Sequence, residues 1–251
     1  MKYKALITDL DGTIIIQGSK NGLPSIKVTD ALEKARSKIN IGIATGRPPI
    51  YVSHILSHLK LSGPSILLNG ALIIDSLTGK ILYSEPMGIQ EFNEIIKILK
   101  KRGLLFTIDQ ENEYAIKYTK SFKPSKPLVI FTQNLTLDQV EKIKKELAQI
   151  HTITAIQVPD WVNANKWALN ICSAKATKLH AVVKVSEILK ISPKEIIAIG
   201  DSYNDFPLLM ACGLKVAMGN AVTELKEIAD YIAPTIEEDG VADVIEKYIL
   251  S

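Results

Sequence analysis

Short apolar runs alternate with amphipathic stretches through the first third of the chain. Residues 3–8 (YKALIT) read as a buried strand and Val28–Ile39 as a helix. Ile41–Ala44 is a second strand and Pro49–Leu59 a second helix. Ser65–Leu68 is a further apolar run, ending at Asn69-Gly70. Strands this short, separated by helices, predict parallel βαβ units with right-handed crossovers. The last third repeats the style. It has helices at Thr177–Leu189 and Asn204–Ala211, strands at Glu195–Ile199 and Leu214–Ala217, and helices around Val222–Ile228 and Gly240–Tyr248.

The middle has a different rhythm. Residues 75–80 (DSLTGK) predict a hairpin connection. Ile89–Lys101 places Phe92, Ile95, Ile96 and Leu99 on one helical face. Strands are expected at 104–108, 114–118 and 127–132, a helix at Leu137–Ala148, and strands at 152–157 and 167–172. The pattern predicts an α+β unit, at about residues 83–171, inserted into an α/β domain formed by 1–82 and 172–251. The Pro- and Lys-containing stretch 120–126 reads as a surface loop.

Composition narrows the class. The 251 residues are 47% hydrophobic and 23% charged, which is globular. A net charge of +3, from 30 basic against 27 acidic residues, argues against nucleic-acid binding, which needs a concentrated basic surface. Cys172 and Cys212 form no closely spaced metal pair and read as buried thiols. An acidic pair within the first eleven residues leaves no signal-peptide core, and no apolar window is long enough to span a membrane. A cytoplasmic protein is expected.

The chemistry gathers at strand ends. Asp9-Leu10-Asp11-Gly12-Thr13 follows the first strand, and ligands of open α/β sheets sit beyond the carboxyl ends of strands. Two carboxylates on a buried turn are costly unless a cation or a reaction uses them. Gly200-Asp201-Ser202-Tyr203-Asn204-Asp205 follows another buried strand, so four carboxylates converge if both strands share one sheet. Oxygen ligands without histidine or thiolate favour Mg²⁺. Thr45-Gly46-Arg47, after the second strand, offers a hydroxyl and a backbone amide to phosphate oxygens, with a helix start nearby. Lys178, at the head of the Thr177–Leu189 helix, supplies balancing positive charge.

These segments, in this order, resemble the four motifs of the haloacid dehalogenase superfamily: DLDGT, ATGR, a lysine and GDSYND. The tail AMGNAVTELKEIADYIA followed by DG is similar to the Cof-type (class IIB) branch. The resemblance implies a Rossmannoid α/β core with a parallel sheet and an inserted C2-type α+β cap. It implies a Mg²⁺-dependent phosphatase acting on a small phosphorylated metabolite, such as a sugar phosphate or phosphoglycolate. By the same resemblance Asp9 is the nucleophile and Asp11 the general acid/base. The metal is held by Asp9, the Asp11 carbonyl, Asp201 and Asp205, with Asp205 either acting through water or orienting the lysine. Thr45, Gly46 and Lys178 hold phosphoryl oxygens, and Asn69 and Asn204 line the pocket.

Some assignments leave two readings. The family's lysine is usually followed by glycine, whereas Leu179 follows Lys178, and Lys175 lies three residues earlier. Arg47 contacts phosphate or is a surface charge. His54 and His58 share a helical i, i+4 spacing but lack a third ligand. Trp161 and Trp167, with Asn163, Asn165 and Lys166 between them, face a sugar or pack the cap. A sugar phosphomutase of the same superfamily is the alternative activity. Dehalogenation has no use for an acid/base at Asp11, and a catalytically dead binding protein is disfavoured by the intact motif residues.

Overall fold

The computed structural model describes residues 2–16, 22–160, 162–163 and 165–251. It divides into two compact units, Met1–Tyr83 with Thr177–Ser251, and Ser84–Ala176. In chain order the first unit contributes β1 (Ala5–Thr8), α1 (Ile26–Ala35), β2 (Asn40–Ile43), α2 (Ser53–Leu59), β3 (Pro64–Leu67), β4 (Leu72–Asp75) and β5 (Ile81–Ser84). The second contains α3 (Ile89–Lys101), β6 (Phe106–Gln110), β7 (Glu113–Lys117), β8 (Pro127–Leu135), α4 (Leu137–Leu147), β9 (Ile153–Pro159) and β10 (Trp167–Ser173). The chain then returns through α5 (Lys178–Leu189), β11 (Ile196–Gly200), α6 (Phe206–Ala211), β12 (Leu214–Ala217), α7 (Thr223–Glu227), β13 (Tyr231–Ile232) and α8 (Gly240–Ile245).

The first unit is built on a five-stranded sheet of order β13-β12-β11-β1-β2, parallel throughout. All five residues of β11 are buried, as are all four of β1, which requires cover on both faces. That is why these strands read as continuous apolar runs rather than alternating ones. Their register brings three loops together. Thr8 lies opposite both Ile199 and Ile43, so Asp9, Gly200 and Ala44 leave the sheet at one level.

β3 departs from the simple βαβ expectation. It pairs antiparallel with β4 in a separate three-stranded sheet and meets the segment after β2 through one parallel bridge, Ala44 to Ile66. Pro64 has no N–H to contribute to a ladder, and the Ser65 hydroxyl stands in for a backbone acceptor of the Ile43 amide at 3.1 Å. Two helix starts also shift. Pro49–Tyr51 and Tyr203–Asp205 are 3₁₀ turns, and the α-helices begin at Ser53 and Phe206. β13 has two residues, too few to leave a hydrophobic pattern.

The second unit is an antiparallel sheet of order β7-β6-β8-β10-β9 with both helices on one face. Phe92, Ile95, Ile96 and Leu99 of α3 and Val140, Ile143 and Leu147 of α4 bury against Ile108, Ile130, Leu169 and Ile171. Thr136 caps α4 reciprocally with Gln139. Trp167 packs against this core, whereas Trp161 lies outside the described residues. Asn163 and Asn165 are exposed, on a turn organised by the Asp160 carboxylate.

Asp109 stands in β6 with only 5% of its surface exposed. Burial pushes its carboxyl up to about 6, although the Ala115 amide donates to it at 2.8 Å. A carboxyl raised in the folded state stabilises the fold while protonated, and that contribution is lost as pH climbs from about 4 to about 6. Asn keeps the acceptor and removes the charge. Asp109→Asn is therefore expected to stabilise the protein at pH 8 by on the order of 2–3 kcal/mol and to do little at pH 4. Urea midpoints at the two pH values check this, and an equal effect at both contradicts it.

Candidate active site

The residues singled out at three strand ends meet at the carboxyl edge of the parallel sheet. Asp9 leaves β1 with its amide donating to the Ile199 carbonyl at 2.8 Å. Gly12 then turns the chain at φ +82°, and a Cβ there would lie 2.3 Å from Asp201 Oδ2. Only glycine lets the turn after Asp9 pass this close to Asp201. Thr13 Oγ1 donates to Asp201 Oδ1 at 2.8 Å, and Asn220 Nδ2 donates to the Gly12 carbonyl at 2.8 Å. Neither Thr13 nor Asn220 stands out in the sequence as a site residue. Both lie within segments that the resemblance matched, but their pairing spans about two hundred residues and leaves no local signal.

Lys178 is the centre of the arrangement. Thr177 caps α5 through its hydroxyl, so the helix opens at Lys178. The left-handed Gly70 (φ +116°) brings the turn after β3 against the Thr177 carbonyl, where a Cβ would lie 2.4 Å from that oxygen. Lys178 is 2% exposed, and its ammonium donates to Asp9 Oδ1 and Asp205 Oδ1, each at 2.6 Å. Lys175 is exposed, so of the two lysines it is Lys178 that is buried against Asp9 and Asp205. Asp205 is fully buried, and its second oxygen accepts the amides of Asp201 and Ser202 at 3.0 and 3.1 Å.

Among the described residues, Asp9, Asp201 and Asp205 form the one carboxylate group able to hold a metal ion, with ligand oxygens all within 4.8 Å of one another. Three buried carboxylates face one ammonium. Burial, and then the Asp205 charge, push Asp9 well above the usual carboxylate range against the opposing pull of Lys178. The same two causes, in the same order, raise Asp201 to about 6. Burial works against the Lys178 ammonium, but the Asp205 and Asp9 charges prevail and hold its pKa above the ordinary lysine value. The set carries excess negative charge, made only of oxygen donors, which fits a hard divalent cation.

The second loop lies alongside. Thr45 is buried, its hydroxyl accepts the Arg47 amide at 3.2 Å, and its carbonyl accepts the Asn69 amide at 3.0 Å. Gly46 lies under the Asn69 side-chain amide, 3.0 Å from where a Cβ would stand. Asn69 is left-handed at φ 55°, and its buried Oδ1 has no partner among the described residues. Arg47 is 3% exposed rather than a surface charge, and its guanidinium takes both oxygens of Asp11. The Asp11 side chain thus faces Arg47 rather than the carboxylate cluster. Asn204 is half-buried in the loop after β11. His54 and His58 are exposed on α2 and outside the metal-capable group. Cys172 and Cys212 are buried thiols, pushed up to about 12 by burial.

By fold, the molecule is an α/β protein with a parallel five-stranded sheet and a separate antiparallel one. A haloacid dehalogenase-like hydrolase from Bacteroides thetaiotaomicron superposes with a TM-score of 0.81 at 23% identity, over 98% of this chain and 99% of that one. A subclass IIB sugar phosphatase of the same superfamily superposes at 0.77 with 21% identity, over 98% of each chain. The chain belongs to the haloacid dehalogenase-like hydrolase family, whose sequence pattern matches residues 6–245. Its relatives include the phosphoglycolate phosphatase of Methanopyrus kandleri, 27% identical over 97% of this chain and 96% of that protein. Another is the 5-amino-6-(5-phospho-D-ribitylamino)uracil phosphatase of Bacillus subtilis, 28% identical over 98% and 96%.

The crowding at Gly12 has a measurable counterpart in Gly79, which is also left-handed (φ +71°) but has open space where a Cβ would stand. Gly79→Ala is expected to cost only backbone strain, roughly 1 kcal/mol. Gly12→Ala adds the collision with Asp201 and is expected to cost clearly more. Equal urea midpoints for the two variants would refute the close approach of the two loops.

Proposed function

We propose that the protein is a Mg²⁺-dependent phosphomonoester hydrolase that acts on a small phosphorylated metabolite through an aspartyl-phosphate on Asp9. The observation that carries this reading is the buried Lys178 ammonium held on Asp9 Oδ1 beside two further carboxylates. It puts a nucleophilic oxygen next to a fixed positive charge, which suits attack on a phosphoryl group whose own charge would otherwise repel a carboxylate.

In this reading Asp9 attacks phosphorus, and the bond to the leaving oxygen breaks with its electron pair. Asp11 gives that oxygen a proton. Water then attacks the aspartyl-phosphate while Asp11 takes a proton from it, which releases inorganic phosphate and restores Asp9. Lys178, the Thr45 hydroxyl and the Gly46 amide hold phosphoryl oxygens. Asn69, whose Oδ1 is buried without a partner among the described residues, and Asn204 contribute polar contacts to the substrate. Asp9, Asp201 and the Asp11 carbonyl would hold Mg²⁺. Asp205, whose oxygens are already engaged by Lys178 and two backbone amides, mainly orients the lysine. When bound, the ion supplies positive charge against the phosphoryl oxygens and the carboxylates.

The substrate class draws on the relatives named for phosphoglycolate and for a ribitylamino-uracil phosphate, both small phosphomonoesters. We infer that Ser84–Ala176 acts as a cap that sets substrate size.

Inorganic phosphate release across a panel of phosphorylated metabolites tests the reading. Turnover is expected with Mg²⁺ and lost with chelator, and Asp9→Asn is expected to fall to background. Lys178→Ala should lower kcat/KM by roughly 10²-fold or more, whereas Lys175→Ala should stay near wild type. Mg²⁺ should also raise the Tm of wild type but not of Asp201→Ala, a readout independent of turnover. Hydrolysis that survives Asp9→Asn overturns the proposal.

A further inference from the structure

Arg47 occupies an unusual place for a residue expected to reach phosphate. Its backbone is fixed on both sides: the amide donates to Thr45 Oγ1 at 3.2 Å, and the carbonyl accepts the Leu68 amide at 3.2 Å. The side chain is buried, and Nε donates to Asp11 Oδ2 at 2.8 Å while a terminal nitrogen takes Oδ1. This is a fork-to-fork pair, the strongest and most directional ion-pair geometry available to a carboxylate. Asp11 is the more open partner, with about a quarter of its side chain exposed. A half-open carboxylate on a turn has several rotamers to choose from, and a buried guanidinium removes that choice.

We infer that Arg47 is a positioning residue for Asp11: it sets the plane and direction of the carboxyl group that exchanges a proton with the leaving oxygen and then with water. The inference rests on the reading of Asp11 as the general acid/base. Positioning matters here because proton transfer needs the donor within hydrogen-bond reach of the reacting oxygen, and small misplacements are expensive in rate. A lysine at the same site would keep the charge but lose the two-point grip.

The role makes a demand that phosphate binding does not. An alkoxide leaves badly unless it is protonated as the bond to phosphorus breaks. A 4-nitrophenolate leaves well without a proton. A group that acts through the general acid therefore affects alkyl phosphates selectively, whereas a group that grips the phosphoryl oxygens affects every substrate.

The experiment compares kcat/KM, which reports steps up to phosphoryl transfer, for 4-nitrophenyl phosphate and for an alkyl phosphate that wild type turns over. The enzymes are wild type, Arg47→Lys, Arg47→Met, Asp11→Asn and the Asp11→Asn/Arg47→Met double variant, each checked for folding by its thermal transition. In Arg47→Met the alkyl substrate is expected to lose roughly 10–100-fold and the aryl substrate several-fold less. Arg47→Lys should recover part of the alkyl rate, and the double variant should be no worse than Asp11→Asn alone. Inhibition by inorganic phosphate should persist in Arg47→Met. Equal losses on both substrates, together with weakened phosphate inhibition, overturn the inference in favour of direct phosphate contact and leave the Asp11 reading intact. An Asp11→Asn enzyme with an unaltered alkyl-to-aryl ratio instead removes the acid/base reading itself. If Arg47→Met does not fold, the Arg47→Lys ratio decides alone: a selective alkyl loss supports the inference, and a uniform loss overturns it.

Discussion

Three carboxylates and one ammonium, buried together at the edge of a parallel sheet, are the constraint on which the rest of the first unit depends. Breaking such a group by removing one partner costs several kcal/mol, because it strands charge in a poor dielectric. The surrounding backbone shows how the arrangement is kept. Asp205 is pinned by two amides, Asp201 by the Thr13 hydroxyl, and Lys178 by the helix that begins at it. Glycines appear where distant segments approach within a Cβ of each other, at Gly12 and Gly70, and where the Asp205 side chain folds back on its own loop, at Gly200.

Burial of like charges is tolerable only where something offsets it. Lys178 does so for Asp9 and Asp205, and Arg47 does so for Asp11 on the other side of the loop. The loop from Asp9 to Thr13 thus has cationic groups on two sides and a carboxylate set open to a cation on a third. An anionic phosphoryl group brought into such a place meets charge already in position, with little rearrangement left to make.

Much of this was legible in the sequence because strands buried on both faces announce themselves as apolar runs, and the residues just past them are the ones a parallel sheet delivers to its carboxyl edge. Asp9, Thr45 and Asp201 could be placed that way. The first helix of the second unit was equally plain, since Phe92, Ile95, Ile96 and Leu99 trace a single stripe. What remained hidden depends on contacts between distant segments. No pattern in residues 9–13 tells that Asp11 turns toward Arg47 while Asp9 turns toward Lys178. Lys178 is set apart from Lys175 by its burial and its two carboxylate partners, neither of which the sequence displays. The 3₁₀ openings before α2 and α6, and the displaced pairing of β3, likewise arise from tertiary packing and from Pro64 rather than from local periodicity.

The register that brings Asp9, Ala44 and Gly200 to one level also sets the order in which the molecule can be made. β1 precedes its partner β11 by nearly two hundred residues, with the whole of the second unit between them. Closing so long a loop adds entropy only logarithmically with its length, so the final stability suffers little. The kinetics are another matter, because pairings this distant form late and slowly. Until β11 docks, β1 is paired on one side only, by β2, and its other, apolar edge leaves the incomplete chain prone to association.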